Sequence, residues 1–398
     1  MLSPSPPGRP AAGALSGQEP ELDASALDAT GLRVAIVSDA APERNGVGAY
    51  YRDLAEHLKS AGAKVDLISP RFRAGNWYGG LALPLPGDRT QKFVLPSPVL
   101  VSRRFARLAP DAVIVPTPGP FGMIGMYLAR RQRARLVVGF HTHFERLAEL
   151  NNDWLARGYV AQAYLSACNR KLFREGELVL ANSDEMVQIA RGMGARNVAL
   201  MGTSIPKRFL DQPPAPLTGG VERVLFAGRL APEKNLEAVV EAARDLPEME
   251  FLVAGDGPLR DWLVDQAGGL ANLNYVGWVK RPRILPLIDE VDALVLPSTV
   301  ESFGTIALEA MARSRLVVVS SQCGILSWGM LKRGLFQMRD DESLSSALRR
   351  VRDLDHAILE RKVEIARAAA REINGRNLRH WIGVLANGER RGLDELTH

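Results

Sequence analysis

Val291-Asp-Ala-Leu-Val-Leu-Pro-Ser-Thr-Val-Glu-Ser-Phe-Gly-Thr-Ile-Ala-Leu-Glu-Ala-Met-Ala312 changes character halfway along its length. Ala293 to Leu296 is a short apolar run between Asp292 and Pro297, the pattern of a parallel strand buried on both faces. From about Gly304 onward, Ile306, Leu308 and Met311 take up helical spacing. The polar stretch Ser298 to Gly304 lies between, so the order is strand, loop, helix. In open α/β sheets ligands bind beyond the carboxyl ends of the strands, where a helix N-terminus offers free N–H groups and a positive dipole end to a phosphate. Glu301 sits in the loop and Glu309 eight positions later in the helix. At about 100° per residue they are offset by only ~80°, so both can lean toward one ligand. Carboxylates beside an anion-binding helix mouth suit sugar hydroxyls. The same pair also suits a helix cap and a solvated helical charge, so the rest of the chain has to decide.

Upstream, Val224-Leu-Phe-Ala-Gly-Arg-Leu-Ala-Pro-Glu-Lys-Asn235 reads as strand, turn and a helix opened by Pro232. That places Arg229 at a strand end and Lys234 in a first helical turn, two cations aimed at one spot. Phe251 to Ala254 is a strand followed by the turn Gly255-Asp-Gly-Pro258, and Asn274 to Val279 is a short strand. Downstream, Leu316 to Ser320 is a strand followed by the loop Ser321 to Gly329, and the chain from Glu342 onward is helical and charged.

A break rich in Pro and Gly at Pro206 to Gly220 separates this series from an earlier one. Leu32 to Ser38 is a strand, Asp39 to Ala49 a loop carrying Gly46 and Gly48, and Tyr50, Leu54, Ala55 and Leu58 mark a helix that Gly62 stops. A Gly-x-Gly between strand and helix lets backbone approach a diphosphate, although it is shorter than the dinucleotide fingerprint. Lys64 to Ser69 is a second strand. Residues 70–98, with Trp77, Tyr78 and Phe93 among Pro and Gly, read as a loop suited either to an acceptor-facing surface or to packing. Asp111 to Pro116 and Leu136 to Phe140 are buried strands flanking a helix from Phe121 to Arg133. The second of them runs into His141-Thr-His-Phe144, a strand end where either a catalytic or a structural histidine fits. Glu177 to Ser183 is one more strand before a helix. Two successive βα series predict an α/β protein of two doubly wound Rossmann-like domains facing a cleft. The expected limits are a tail at 1–30, a first domain at 31–206, a linker at 207–220, a second domain at 221–372 and a helical tail at 373–398 that crosses back to the first domain.

A chain of 398 residues is long enough for two cores. Its 46% hydrophobic and 24% charged residues are those of a water-soluble globular protein. Cys168 and Cys323 are too few for a disulfide framework and lack metal-ligand spacing, so a reducing, cytoplasmic setting is expected. No apolar run reaches the length of a membrane span; Ala112 to Ala129 comes nearest and is broken by three prolines. Met1 to Thr30 is rich in Pro, Ala, Gly and Ser without an apolar signal-peptide core, and reads as a disordered tail. The net charge is +5, and the cations cluster at Arg103, Arg104 and Arg107, at Arg130, Arg131, Arg133 and Arg135, and at Arg170, Lys171 and Arg174. No nucleic-acid motif or aromatic stacking pattern accompanies them, so no nucleic-acid partner is expected. The cluster fits solvated helical faces or a peripheral contact with an anionic membrane.

Three segments now carry a resemblance: Gly228-Arg-Leu-Ala-Pro-Glu-Lys-Asn235, Gly255-Asp-Gly-Pro258 and Glu301-Ser-Phe-Gly-Thr-Ile-Ala-Leu-Glu309. With the Gly46-Val-Gly48 loop and Asp341-Glu-Ser-Leu-Ser-Ser-Ala-Leu348 they resemble, in order and spacing, the family-4 glycosyltransferases of the GT-B fold over about residues 31–350. Pro116-Thr-Pro-Gly-Pro120 and His141-Thr-His-Phe144 resemble the branch that builds glycolipids by mannosyl, glucosyl or sulfoquinovosyl transfer.

The resemblance implies a metal-independent, retaining hexosyltransferase with an acceptor-side first domain and a second domain that binds a UDP- or GDP-sugar donor. No further cofactor is implied, and the acceptor would be a lipid or an envelope glycan. Arg229 and Lys234 would hold the diphosphate, helped by backbone at Gly46 to Gly48 and at Phe303, Gly304 and Thr305. Glu309 would bind the ribose, Glu301 the sugar hydroxyls, and His141 would line the reaction centre, with Val279 and Lys280 bordering the base. The family is thought to react on the donor's front face, the leaving phosphate taking the acceptor proton. No Asp-x-Asp follows a strand, so two cations and helix mouths would hold the charge of the leaving group. A nucleotide-sugar epimerase and a non-catalytic nucleotide-sugar-binding partner are the alternatives on this fold. Three departures stand out. Arg313-Ser-Arg-Leu316 replaces a small residue, Gly, x and Pro, a change that reads as structural. Cys323-Gly-Ile-Leu-Ser-Trp328 replaces Gly-Gly-x-x-Glu beside the donor site and leaves the sugar open. Gly202-Thr-Ser204 stands where Gly-Val-Asp is common.

Overall fold

The computed structural model describes residues 27–389 apart from 44–45, 86–87, 142–158, 218 and 302. The expected tail up to residue 26, and His143 of the His-Thr-His-Phe stretch, lie outside the described residues.

The N-terminal half begins with β1 (Arg33–Val37) and β2 (Lys64–Ile68), then β3 (Arg71–Arg73), β4 (Asn76–Tyr78), β5 (Gly80–Leu85) and β6 (Asp88–Pro96). It continues with β7 (Ala112–Val115), β8 (Arg135–Phe140), β9 (Leu178–Ala181) and β10 (Val198–Leu200). Six of these form a parallel sheet in the order β10-β9-β8-β7-β1-β2. The C-terminal half supplies β11 (Arg223–Ala227), β12 (Glu250–Ala254), β13 (Leu273–Gly277), β14 (Ala293–Leu296), β15 (Leu316–Val319) and β16 (Phe336–Gln337), ordered β13-β12-β11-β14-β15-β16. Strands β7, β9, β14 and β15 are buried at every position, which is why they read as unbroken apolar runs. Each sheet changes direction of travel once, between β1 and β7 and between β11 and β14. Such switch points open a crevice at the carboxyl ends of the strands.

Residues 70–98 correct the expectation of a loop. They form two antiparallel hairpins, β3–β4 and β5–β6. The prolines there (Pro84, Pro96) are tolerated because a two-stranded ribbon is all edge. Lys234 is also not in a first helical turn: Pro232–Lys234 is a separate 3-10 turn, Asn235 follows at φ 52°, and the helix starts at Leu236. An asparagine accepts that left-handed conformation more readily than most residues.

The expected linker contains the short helix Lys207–Asp211. Behind it lie the two arginines that depart from the family pattern, and both are buried. Arg313 pairs with Asp289 through Nε at 2.9 Å and donates to the carbonyls of Gln212 and Pro213 at 2.6 and 2.7 Å. Arg315 donates to the carbonyls of Val291, at 2.9 Å, and Ala215. Together they staple the connection between the halves to the second sheet.

The last described element is one 32-residue helix, His356–Asn387, which runs through residue 372. Leu378, Trp381, Val384 and Leu385 pack into the core beneath β1, and Trp381 Nε1 donates to Tyr50 Oη at 2.9 Å. Arg135, counted in the basic cluster, donates to the carbonyl of Leu385 at 2.7 Å and so caps this helix, where a cation also meets the negative dipole end.

Candidate active site

The second switch point carries three of the residues singled out in the sequence. Arg229 follows β11 by two positions and is exposed; Lys234 comes from the 3-10 turn, and Glu301 from the loop after β14. Lys234 Nζ lies 2.6 Å from Glu301 Oε2, with both side chains largely shielded. The loop holding Glu301 is fixed from both sides. Thr299 N donates to the carbonyl of Glu233 at 2.9 Å, and Gly324 N to that of Glu301, also at 2.9 Å. The altered segment after Cys323 therefore keeps a backbone grip on Glu301. Its Trp328 packs edge-on against Phe303, the ring centroids 6.2 Å apart, an apolar prop behind the loop that carries Glu301.

Gly304, at φ 90°, precedes the helix Thr305–Ala312 and caps it without a side chain, which leaves Glu301 free of capping. The Gly-Arg-Leu and Gly-Asp-Gly-Pro turns fit into each other. Gly228 N donates to the carbonyl of Ala254 at 3.0 Å, Leu230 N to that of Asp256 at 3.1 Å, and Leu259 N to that of Leu230 at 2.9 Å.

Glu309 differs most from expectation. It is 0% exposed, facing neither solvent nor open crevice. Arg281, the first residue of the helix Arg281–Asp289, holds both carboxylate oxygens: Nη1 donates to Oε2 at 3.0 Å and Nη2 to Oε1. The same Nη2 donates at 3.0 Å to Oδ2 of Asp53, a buried residue of the N-terminal helix Gly46–Ser60. One guanidinium thus joins carboxylates from the two halves. Burial pushes the Glu309 carboxyl up, opposed by the charge and hydrogen bonds of Arg281; burial works against the Arg281 charge, yet Glu309 and Asp53 outweigh it and raise its pKa. Arg208 Nη2 donates at 2.6 Å to the carbonyl of Arg281, bringing the connecting segment into the cluster. Val279 is half-buried just before this arginine, and Lys280, exposed, is its N-cap.

At the first switch point the two glycines separate. A Cβ on Gly46 would meet nothing within 4 Å, whereas one on Gly48 would come within 2.7 Å of the carbonyl oxygen of Ala40. Gly48 is glycine for the loop's own packing, whereas Gly46 is not held to glycine by any neighbour among the described residues. Asp39, just after β1, accepts from Thr117 Oγ1 at 2.8 Å and from the backbone N–H groups of Phe121 at 2.8 Å and Gly122 at 3.2 Å. Burial nevertheless pushes its pKa up to about 6. His141 directly follows β8, its Nε2 2.9 Å from Tyr51 Oη, and its ring is flanked by Tyr50 and Tyr51. Burial lowers its pKa to about 3, so the imidazole is neutral at neutral pH.

Sequence reasoning missed Arg281, Asp53, Asp39 and Tyr51. Arg281 is one residue beyond the Val279–Lys280 stretch already named. Asp53 had a signal of its own: it lies beside Leu54 and three residues after Tyr50, on the apolar face of its helix, and a carboxylate there needs a partner. Among the described residues no three His, Cys, Asp or Glu side chains gather as a metal site.

Two parallel sheets, each with a switch point, joined through a shared connection and a returning C-terminal helix, define a GT-B architecture. The sucrose-phosphate synthase of Thermosynechococcus elongatus has this fold, superposing with a TM-score of 0.67 at 15% identity over 89% of this chain and 99% of that one. The family model for Glycosyltransferase Family 4 matches residues 44–201, and that for Glycosyl transferases group 1 matches residues 221–353. The chain belongs to these glycosyltransferases. Relatives include a glycogen synthase of Mycobacterium tuberculosis, 31% identical over 54% of this chain and 55% of that protein. A sulfoquinovosyl transferase of Arabidopsis thaliana is 25% identical over 77% and 63%. An alpha-monoglucosyldiacylglycerol synthase of Acholeplasma laidlawii is 23% identical over 72% and 80%. The chain thus spans little more than half the length of the glycogen synthase it matches.

Proposed function

We propose that this chain is a retaining, metal-independent glycosyltransferase that moves a hexosyl unit from a UDP- or GDP-sugar to a lipid or envelope-glycan acceptor at the cytoplasmic membrane face. The observation that carries the reading is the Lys234–Glu301 pair at the switch point between β11 and β14, with Arg229 two residues beyond β11 and the helix mouth at Gly304–Thr305 beside it. The names of the sulfoquinovosyl and monoglucosyldiacylglycerol relatives support a glycolipid product.

As the sugar–phosphate bond breaks, the nucleoside diphosphate gathers negative charge, and Arg229, Lys234 and the N–H groups of the helix mouth stabilise it. Lys234 holds Glu301 in place through their 2.6 Å contact, and Glu301 accepts hydrogen bonds from sugar hydroxyls. The departing phosphate oxygen takes the acceptor proton, so no side chain has to act as a base. His141, neutral and anchored by Tyr51, borders the reacting centre as a hydrogen-bonding group. Ribose recognition by Glu309 requires Arg281 to yield at least one carboxylate oxygen, which leaves its bond to Asp53 in place.

The test is turnover of radiolabelled UDP- and GDP-hexoses with and without dispersed membrane lipid. Transfer to lipid is expected, falling by about a hundredfold or more in Lys234→Ala and Arg229→Ala, the scale of losing one charge-stabilising donor. Isomerised donor without lipid would indicate an epimerase, donor binding without turnover a non-catalytic partner, and wild-type rates in both variants would overturn the assignment.

A further inference from the structure

We propose that the outer face of the β5–β6 hairpin, continued by the first turn of the helix Pro98–Leu108, is the surface on which this chain docks to an anionic lipid bilayer. The inference rests on the lipid-acceptor reading but uses none of the residues of the donor site.

The hairpin has two unlike faces. Leu81 pairs directly with Leu95, and Leu83 lies two positions farther along the same side. These three are 65%, 38% and 41% exposed. Between them, on the opposite side, Ala82 pairs with Val94, and both pack into the core. The ribbon is therefore held down by one face and presents leucines on the other. Ser97 then caps the next helix, whose first turn exposes Val99 and Leu100, at 59% and 58%. Single exposed apolar residues are ordinary, but five large ones on consecutive elements mark a contact surface.

The order of the charges points to a bilayer. Arg103 and Arg107 follow Val99 at four-residue spacing on the same stripe of the helix, and both are exposed. Arg104, off that stripe, is instead paired with Asp66. The helix Pro120–Gln132, which packs against both the Pro98–Leu108 helix and β6, repeats the arrangement with Tyr127, 60% exposed, and Arg131 four residues on. An interfacial surface sinks its apolar side chains ~5–10 Å toward the acyl boundary while its cations stay at the headgroups. Leucine and valine would reach the acyl boundary while the guanidinium groups meet lipid phosphates. A protein partner would have no reason to repeat that apolar-then-cationic step on two neighbouring helices.

The test is flotation of the whole chain with vesicles of phosphatidylcholine alone or with one-third phosphatidylglycerol. Leu81→Asp/Leu95→Asp and Arg103→Glu/Arg107→Glu are compared with wild type, and melting temperature and transfer to a short-chain, water-dispersed acceptor are measured alongside. The proposal expects binding to the anionic vesicles that weakens with salt. It expects a loss of about tenfold or more in each double variant, since each cation near such a surface is worth about fivefold, with folding and water-dispersed transfer unchanged. Vesicle binding by both variants equal to that of wild type, or no binding by wild type, overturns the docking surface. A fall in oligomer mass in the variants with vesicle binding unchanged would assign the face to self-association and overturn it too. Because transfer in water is read separately, failure here leaves the transferase reading standing, and failure of transfer with intact flotation does the reverse.

Discussion

Removing the guanidinium of Arg281 isolates the interaction that joins the two halves. In Arg281→Ala, Glu309, 0% exposed, and Asp53, 4% exposed, lose their shared cation and are left facing each other. Breaking a buried pair by deleting one partner costs about 3–5 kcal/mol. At roughly 2–4 °C per kcal/mol for a larger domain, the melting temperature should fall by about 6–20 °C. The stranded Glu309 carboxyl, already raised by burial, rises further without its cation. Its protonation then relieves the strain, so the variant's deficit should shrink as pH is lowered through that raised value. The decisive assay is a double-mutant cycle in urea with Glu309→Gln, read at pH 7. In the wild-type background the glutamine leaves Arg281 with one buried anion instead of two. In the Arg281→Ala background it removes an unpaired buried charge and should restore about 2 kcal/mol or more. A deficit below about 1 kcal/mol in Arg281→Ala, with no rescue by Glu309→Gln, would refute the account of a buried clasp.

Gly46→Ala should leave the melting temperature nearly unchanged yet weaken nucleotide-sugar binding, since its Cβ would enter open space at the helix mouth. Gly48→Ala should cost about 1–3 kcal/mol, the range for overpacking, because its Cβ would meet the backbone of Ala40 at 2.7 Å; thermal melts with and without UDP-glucose separate the two. His141 has a folded pKa lowered to about 3, below its unfolded 6.5, so its stabilisation is present above pH 6.5 and is lost as pH falls from there toward 3. Asp39 has a folded pKa raised to about 6 from 3.8, so its contribution is present at low pH and is lost as pH rises through 6. Urea midpoints across pH 4–8 should accordingly lose opposite slopes in His141→Phe and Asp39→Asn. Arg313→Ala should cost about 3–5 kcal/mol by stranding Asp289 and the carbonyls of Gln212 and Pro213, and limited proteolysis should then cut near residues 212–217.

The sequence by itself determined most of the βα series and the two-domain α/β architecture, because these follow from short-range patterns. An apolar run four residues long bounded by Asp292 and Pro297 reads as a buried strand in a βα series, and the polar turn behind it then lies at its carboxyl end. That chain of local inferences brought Lys234 and Glu301 to one switch point. It stopped where a contact depends on elements far apart in the chain. Asp53 and Glu309 are 256 positions apart, and no periodicity links them; only the packing of the Gly46–Ser60 helix against the second half lets one guanidinium neutralise both. Which glycine serves the fold and which faces open space likewise turned on how the loop after β1 folds back on itself. Arg313 and Arg315 looked like a broken turn motif until the connecting segment supplied carbonyls for them to bind. Buried charge needs a partner wherever the chain can bring one, and that partner is set by tertiary packing, not by sequence spacing.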